Sequence, residues 1–397
     1  MAKKYELLAP AGDMACFIAA VNAGADAVYF GLKEFNMRDN ARNFSLKDLK
    51  EIGKYKVKKY LTLNTVIYDS EITHIEKIIK QVKGKVDAII CWDMAVVGLC
   101  RKYKIPFHIS TQASISNVES AKFYKKLGAK RIILARELNL KQIKKISKVI
   151  DVECFIHGAL CVAESGRCFT SQFLHKRSAN RGKCQHPCRH EYRIIDEEGN
   201  ELKVQNRFIL SAKDLCTLPF FEKLKKAGIK TFKIEGRNRD ADYVDAVVRV
   251  YREAIDKKLS DKRKKELMKK FECVYNRKFS DGFFIKSPTN DDFTNIKGSN
   301  ALEIKKIIGK VMNYLSNKKV ALIRIFTDSV KLGDEFFIIG NKTGIVRLKV
   351  ESMEIHKKKV SHASAGEIVG VLCSDRVREN DSVYKIIPPS RDVQTSG

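Results

Sequence analysis

The sequence lacks any apolar run that approaches the ~20 residues needed by a membrane-spanning helix, although 44% of its 397 residues are hydrophobic. It also lacks a recognisable signal peptide, because residues 1–5 run directly into an apolar, strand-like stretch. Neither an integral membrane protein nor a secreted one is therefore expected. We predict a cytoplasmic protein with no membrane partner.

Three common motifs of catalysis and phosphate binding are also missing. The chain has no H-E-x-x-H, no G-x-S-x-G and no P-loop, which excludes the enzyme classes that depend on these motifs. A thiol peptidase that uses Cys and His remains an alternative. Clustering of the cysteines, however, favours metal binding over nucleophilic catalysis.

Acidic residues are few relative to basic ones. Asp and Glu number 47, whereas Lys and Arg number 76, which gives a formal net charge of +29. Such an excess attracts polyanions and indicates RNA or DNA as a partner. A proteome that is generally rich in Lys would produce the same excess without such a partner.

Short apolar runs alternate with amphipathic stretches of helical type along the first two thirds of the chain. We predict eight strands at Glu6–Leu8, Ala27–Gly31, Tyr60–Val66, Ala88–Trp92, Phe107–Thr111, Arg131–Ala135, Val152–Ile156 and Thr231–Glu235. Asp13 and Asn139 are predicted to cap the first and sixth helices. This alternation predicts an α/β fold.

An internal repeat favours a closed barrel. Ala23–Asp26, Leu127–Lys130 and Ala227–Lys230 each place a Gly at the end of a helix, directly before a predicted strand. A series of βα units with eight strands predicts a (β/α)8, TIM-like barrel. A doubly wound open sheet is the alternative.

The chain divides into four predicted parts. The barrel occupies residues 1–260 and carries a Cys-rich insertion, residues 158–216, between strands seven and eight. Residues 261–302 are predicted to be a linker that wraps the barrel. Short strands separated by turns then predict a small all-β barrel domain at residues 303–390, followed by a tail at 391–397.

Five of the eleven cysteines fall within 56 residues of the insertion. Four of them follow the pattern Cys161-x6-Cys168-x15-Cys184-x3-Cys188. Thiolates bind zinc or iron–sulfur clusters, and the absence of the C-x2-C spacing common in structural zinc sites favours a [4Fe–4S] cluster. Zinc remains the alternative cofactor, and Cys216 is an alternative ligand or a buried thiol.

Polar residues at the C-terminal ends of the predicted strands are the candidates for a site, because these ends meet at the catalytic face of a barrel. We predict catalytic roles for His157, Glu235 and Arg237, since His transfers protons and Arg binds carboxylates or phosphates. The predicted substrate-binding residues are Asn36, Arg38, Asn64, Gln112, Arg136 and Arg167. Each of them has the alternative interpretation of a satisfied polar residue or a solvated charge.

Several long segments together resemble one known family. They are Leu7–Gly12, Asp26–Gly31, Glu153–Ser171, Arg181–Arg189 and Lys233–Arg237. In this order they are similar to the collagenase-like peptidase family U-32. The resemblance implies a [4Fe–4S] cluster on cysteines that correspond to Cys161, Cys168, Cys184 and Cys188.

Characterised members of that family hydroxylate RNA without oxygen gas, and others act in ubiquinone synthesis. The resemblance therefore implies hydroxylation of a pyrimidine base, in tRNA with a carboxylate hydroxyl donor such as prephenate, or in rRNA. Leu332–Glu335, Val350–Met353 and Ala365–Gly370 further resemble the second domain of elongation factor Tu, as in the tRNA-hydroxylating branch. A peptidase, or a non-catalytic RNA-binding protein with a structural metal site, is the alternative function.

Overall fold

Eight parallel strands form a closed barrel in the computed structural model, which describes residues 4–202 and 206–389. The strands are β1 (Glu6–Pro10), β2 (Ala27–Gly31), β3 (Lys58–Thr62), β4 (Ala88–Cys91), β5 (Phe107–Ile109), β6 (Arg131–Ile133), β7 (Val152–Gly158) and β8 (Thr231–Ile234). Neighbours along the chain pair in order, and β8 pairs with both β7 and β1. The predicted TIM-like barrel is confirmed, and the open-sheet alternative is wrong.

Ten α-helices lie within the described residues. They are α1 (Met14–Asn22), α2 (Asp48–Ile52), α3 (Ile72–Val82), α4 (Met94–Lys102), α5 (Val118–Lys126), α6 (Leu140–Ile146), α7 (Thr170–His175), α8 (Phe221–Lys226), α9 (Ala241–Asp256) and α10 (Asp261–Cys273). The side chains of Asp13 and Asn139 cap α1 and α6 as predicted. None of the described helices is both long and apolar enough to cross a membrane.

Buried ion pairs occupy part of the barrel interior. Arg131 contacts Glu6 at 2.6 Å and Glu153 at 3.5 Å, and Lys233 donates to Glu153 at 2.8 Å. Tyr60 donates its hydroxyl to Glu6. Two carboxylates thus face two cations, which limits the electrostatic cost of burying each charge.

The long connection after β7 returns to the barrel before it reaches α8. Its strand Asp214–Cys216 runs antiparallel to the end of β7, where Cys216 lies opposite His157. Strand Phe279–Ser280 then pairs with Asp214–Cys216. The C-terminal end of the insertion is thereby attached to β7. Helix α7 lies within the insertion.

The segment predicted as a wrapping linker, residues 261–302, contains a full helix. Helix α10 buries Leu267 and Phe271 against the barrel layer, and Ser260 caps its N-terminus. Leu267 and Phe271 are four residues apart and lie on one helical face. The prediction missed this helix because most of the residues around them are Lys and Glu.

The C-terminal part of the chain is an all-β domain, as predicted. Its main sheet contains β9 (Ile304–Leu315), β10 (Val320–Ile325), β11 (Glu335–Gly340), β12 (Gly344–Lys349), β13 (Met353–Ile355), β14 (Lys358–Val360), β15 (Ile368–Leu372) and β16 (Ser382–Ile387). They pair antiparallel in the order β12-β11-β16-β9-β10-β15-β13-β14, around one apolar core. The predicted tail, residues 391–397, lies outside the described residues.

This domain packs on the barrel through α1. Gly344, at the start of β12, lies against Ile18 and Ala19 so closely that a Cβ would touch them. Lys305 forms ion pairs with Asp240 and Asp242 beside the N-terminus of α9. The β-domain is therefore attached to the barrel by both apolar and ionic contacts.

Candidate active site at the barrel mouth

Glu235 follows β8 and is buried at the C-terminal edge of the barrel. Its carboxylate accepts a hydrogen bond from Arg38 Nη2 at 3.1 Å. Burial acts to raise the pKa of Glu235, but Arg38, Arg239 and Arg136 outweigh it and hold the pKa below its usual range. Glu235 is therefore an ionised carboxylate surrounded by arginines. It can accept a hydrogen bond or pair with a positive charge.

Arg237 is also buried at this edge, and its terminal nitrogens are occupied. Nη1 donates to Thr62 Oγ1 at 3.0 Å, and Nη2 donates to Asn43 Oδ1. A Cβ on Gly31 would overlap with Nη2, so Gly31 is the residue that makes room for this guanidinium. Burial is the main cause that lowers the pKa of Arg237 to about 10, and the group stays protonated at neutral pH.

The loop after β2 contributes two of the predicted substrate-binding residues. Asn36 is buried and accepts a hydrogen bond from the backbone N–H of Arg38, which positions Arg38 toward Glu235. Asn64 accepts from the N–H of Met37 at 3.2 Å. Asn36 and Asn64 thus hold the loop in place, whereas Arg38 presents a charge at the mouth.

A pocket of about 210 Å³ opens beside the first cysteine of the insertion. Arg136 lies along it, and its Nη1 donates to Ala159 O at 3.0 Å, whereas its buried Nε and Nη2 have no hydrogen-bond partner within the described residues. Cys161 and Phe283 also line the pocket. Two free guanidinium donors suit a carboxylate ligand, although they are buried here and the acidic side chains of Glu137 and Glu164 line the same pocket.

Gln112 and Arg167 lie beside that pocket and contact each other. Arg167 Nη2 donates to the backbone O of Gln112 at 3.4 Å, and Gly166 lies directly against the Gln112 side chain. The Gln112 amide itself accepts from Ser110. Both residues therefore join the insertion to the C-terminal end of β5.

His157 is not part of the mouth, contrary to our prediction. Its ring lies against Phe271 of α10 at 4.3 Å between centroids and hydrogen-bonds Tyr251 of α9 at 3.3 Å. Between Lys233 and Ile234 the register of β8 against β7 shifts from Phe155 to His157. This bulge reverses the alternation of β7 and turns His157 outward, toward the helices. Burial lowers its pKa to about 3.

The four clustered cysteines lie in the insertion above the mouth. Cys161 is exposed, and Cys168, Cys184 and Cys188 are half-buried. Burial raises the pKa of Cys184 and of Cys188, and Cys161 and Cys168 raise both further, whereas Arg38 and Arg189 respectively oppose this effect. The thiols therefore lie near enough to interact electrostatically.

The donor set suits an iron–sulfur cluster, but the sulfur atoms are not gathered around one point. In residues 4–202 and 206–389, no three His, Cys, Asp or Glu side chains are placed to share a metal ion. A [4Fe–4S] cluster requires four thiolate ligands, and this one loop supplies four thiols. The arginines beside them would offset the negative charge of the cluster. Binding would need the loop to bring the four thiols together.

Cys216 lies apart from this group. It is buried on the strand Asp214–Cys216, with its sulfur 3.9 Å from the Tyr251 hydroxyl and 3.7 Å from the Met268 sulfur. Burial raises its pKa to about 12. Its surroundings are those of a packed core thiol rather than of a ligand.

Two residues that the sequence did not identify attach the insertion to the mouth. Arg181 forms a bidentate pair with Glu71 and donates to Val66 O. Gly182 adopts φ +86 and lies so close to the backbone of Asn36 that a Cβ would overlap with its carbonyl. Residues 181–184 belong to a segment that carried the family resemblance. The spacing of the cysteines could not show that Arg181 and Gly182 attach the insertion to the mouth.

Comparison with known proteins identifies the family to which the chain is similar. Residues 12–294 match the model of peptidase family U32. A collagenase of Porphyromonas gingivalis is 37% identical, covering 96% of this chain and 97% of its own. The tRNA hydroxylation protein P1 of Bacillus subtilis is 33% identical over 85% of this chain and 84% of its own. A 23S rRNA 5-hydroxycytidine synthase of Escherichia coli is 42% identical over 64% of this chain and 39% of its own.

Proposed function

The chain belongs to peptidase family U32, and from that membership we propose that it is an enzyme that hydroxylates a pyrimidine base in RNA, with tRNA as the first candidate. The main support for this proposal is the sequence similarity to a tRNA hydroxylation protein over most of both chains. The net charge of +29 supports a polyanionic substrate. An rRNA substrate is the second possibility, since an rRNA-modifying relative matches 64% of this chain.

A [4Fe–4S] cluster on Cys161, Cys168, Cys184 and Cys188 would supply the activation of the hydroxyl donor without oxygen gas. The donor would be a small carboxylate such as prephenate. Its binding place would be the pocket beside Cys161, because the lining residue Arg136 has two buried guanidinium nitrogens without a partner, which a carboxylate could satisfy. The pocket volume of about 210 Å³ is below the roughly 300–1,000 Å³ of drug-sized sites and therefore suits a small molecule.

The base would enter the mouth from above, unstacked from its neighbours, as other base-modifying enzymes require. The Arg38–Glu235 pair lies at this entrance, and the carboxylate is ionised. Glu235 would accept a hydrogen bond from the base or take up a proton from it. Arg237 would hold Asn43 and Thr62 in place and maintain the shape of the mouth.

Nucleoside mass spectrometry of separated tRNA and rRNA from a deletion strain tests the function. We expect one hydroxylated pyrimidine to disappear from one of the two fractions and to return on complementation. Unchanged modification in both fractions would contradict the proposal. The tRNA and rRNA alternatives are distinguished by the fraction that changes.

The metal is tested separately on anaerobically purified protein. A [4Fe–4S] centre predicts about four irons per chain and a brown colour that replacement of the four cysteines by Ser removes. Stoichiometric zinc without iron would show that the cluster assignment is wrong. Cys216→Ser should leave the iron content unchanged, since its thiol is packed against Tyr251 and Met268.

A peptidase is the second candidate, favoured by the collagenase that is similar over nearly the whole chain. Cys216 is buried near His157 and is connected to it through the Tyr251 hydroxyl. Its raised pKa and burial leave it protonated and inaccessible, which does not suit a nucleophile. Cleavage of gelatin by the purified wild-type protein, lost in a Glu235→Gln variant, would favour the peptidase.

A further inference from the structure

Helix α7 in the insertion and Phe169, the residue directly before it, present large apolar side chains to solvent. Phe173 is 84% exposed, Phe169 is 62% exposed and Leu174 is 59% exposed. Phe169 and Phe173 are four residues apart and therefore lie on the same side of one helical turn. Such a concentration of exposed aromatic surface marks an interaction site more often than a random surface does.

The opposite side of α7 is held by contacts within the insertion. Ser171 is fully buried, and its hydroxyl accepts from the N–H of Gln185 at 3.0 Å. Just before the helix, the N–H of Cys168 donates to Asn180 Oδ1 at 3.0 Å. The exposed face is thus held directly beside the cysteines of the proposed cluster.

The segment that contains α7 is rich in basic residues and poor in acidic ones. Residues 166–190 contain no Asp and no Glu, and their basic residues are Arg167, Lys176, Arg177, Arg181, Lys183 and Arg189. Lys176, Arg177 and Lys183 are exposed and form no ion pair with any carboxylate in the described part of the chain. An open depression lined by His175, Arg177, Gln185 and His190 adjoins the helix. Lys176, Arg177 and Lys183, called the basic rim below, are complementary in charge to a polyanion.

We propose that Phe169 and Phe173, with Lys176, Arg177 and Lys183, form a stacking platform for unpaired bases of the RNA substrate. This proposal rests on the proposed function and adds the place where the RNA strand is held. Proteins bind single-stranded RNA by stacking its bases on aromatic rings while Lys and Arg contact the phosphates. A second copy of the chain would cover the apolar side chains but would bring two basic rims together, which like-charge repulsion opposes.

Phe173→Ala tests the platform in the cluster-bearing, full-length protein. The probe is a fluorescent, uridine-containing single-stranded RNA of about 12 nucleotides, within the usual footprint of such sites, and the measurement is anisotropy under anaerobic conditions. Loss of one stacking ring should weaken binding about 5- to 100-fold. Phe173→Trp should retain the affinity, because a larger ring still stacks.

Phe123→Ala on α5 is the matched control. Phe123 is 59% exposed and stands among Lys122, Lys125 and Lys126, so it has a similar ring, exposure and basic flank at a different place. We expect its affinity to equal that of the wild type. Both substitutions remove exposed side chains, and thermal unfolding should be unchanged in each.

The basic rim has its own readout. Replacing Lys176, Arg177 and Lys183 by Gln should reduce the slope of log K against log salt by about 2, since each phosphate contact on a single strand contributes about 0.7. Phe173→Ala should leave this slope unchanged, because stacking releases no counterions.

Equal RNA affinity of the wild type and Phe173→Ala would overturn the platform, whether or not the deletion strain loses a modification. A wild-type dimer in sedimentation that Phe173→Ala converts to a monomer would overturn it in favour of self-association. If Phe173→Ala weakens RNA binding but the deletion strain keeps all modifications, the platform stands and the hydroxylase proposal fails.

Discussion

Arg136 is half-buried and Arg237 is buried at the barrel mouth, and their guanidinium groups differ in their partners. Both terminal nitrogens of Arg237 donate, to Thr62 and Asn43, and only its Nε has no partner. Two nitrogens of Arg136, Nε and Nη2, have no partner within the described residues. Arg136 therefore has the capacity to bind a ligand, and Arg237 has the contacts of a positioning residue. The sequence predicted both at the correct edge, because strand ends fix the edge, but not which of them is free.

We predict that Arg136→Lys impairs binding of the carboxylate donor more than it impairs binding of RNA. Loss of a charge-assisted, forked contact costs about 1.5–3 kcal/mol, or roughly a ten- to hundredfold higher half-saturating donor concentration. In vitro hydroxylation at varied donor concentration measures this effect. Arg167→Lys is the control, because Arg167 is exposed and contacts only a backbone oxygen and Glu164; an equal effect of the two variants would contradict the assignment.

His157 leads to a prediction about acid stability instead of catalysis. Its pKa is about 3 in the folded chain because of burial, and about 6.5 when unfolded. The unfolded state therefore binds more protons between these values, and the free energy of unfolding falls as the pH is lowered from 6.5 toward 3, by up to about 1.4 kcal/mol per pH unit from this group. Chemical denaturation at several pH values should show a shallower pH dependence in His157→Phe.

Modification activity provides the second readout for His157. The ring is held among Phe271, Phe279 and Tyr251, so Phe should fill its place and cells with the variant should retain the hydroxylated nucleoside. Complete loss of modification in a folded His157→Phe protein would restore the catalytic role. The sequence could not reveal the outward orientation, because the bulge in β7 depends on pairing with β8.

Among the structural elements, the insertion was placed correctly from the sequence, but its contacts with the barrel were not predicted. Its position between β7 and β8 follows from strand spacing and cysteine clustering. Its attachment depends on contacts distant in sequence, such as Arg181 with Glu71 and Gly182 with Asn36. Residues 261–302 show the same limit, because α10 is recognisable only once Leu267 and Phe271 have a surface to pack on.

Gly182→Ala should loosen the insertion from the loop after β2, since its Cβ would overlap with the Asn36 carbonyl. We expect faster limited proteolysis within residues 161–190 and lower iron content. Gly199→Ala is the matched control: Gly199 also has a positive φ, +91, but open space around it. If both variants lose iron equally, backbone strain and not the contact with Asn36 is responsible.

At the scale of the whole molecule, a barrel that bears the mouth is joined to a β-domain through α1 and Lys305. Periodicity and the βα repeat were sufficient to predict the barrel, and short strands with turns were sufficient to predict the all-β domain. Their contact was not predictable, because Gly344 and Ile18 are far apart in the chain and neither carries a distinctive motif.

A chain that ends at residue 303 tests whether the β-domain contributes to RNA binding. We expect the truncated protein to keep its iron, to bind RNA more weakly and to show a smaller salt slope, because basic residues are lost. Titration with tRNA at two or more salt concentrations measures this change. A Lys305→Gln variant of the full chain controls for a loosened contact with α9, and affinity equal to that of the wild type in the truncated protein would show that this domain does not bind RNA.

The proposed activity requires a cysteine-bound centre at the barrel mouth that hydroxylates RNA. Its most direct test is mass spectrometry of nucleosides from a deletion strain that carries either the wild-type gene or one with Cys161, Cys168, Cys184 and Cys188 replaced by Ser. We predict that the wild-type gene restores a hydroxylated pyrimidine and that the Ser variant, present in equal amount, restores none. Full restoration by the Ser variant would show that the cysteines are not needed, and no loss in the deletion strain would show that the protein does not make this modification.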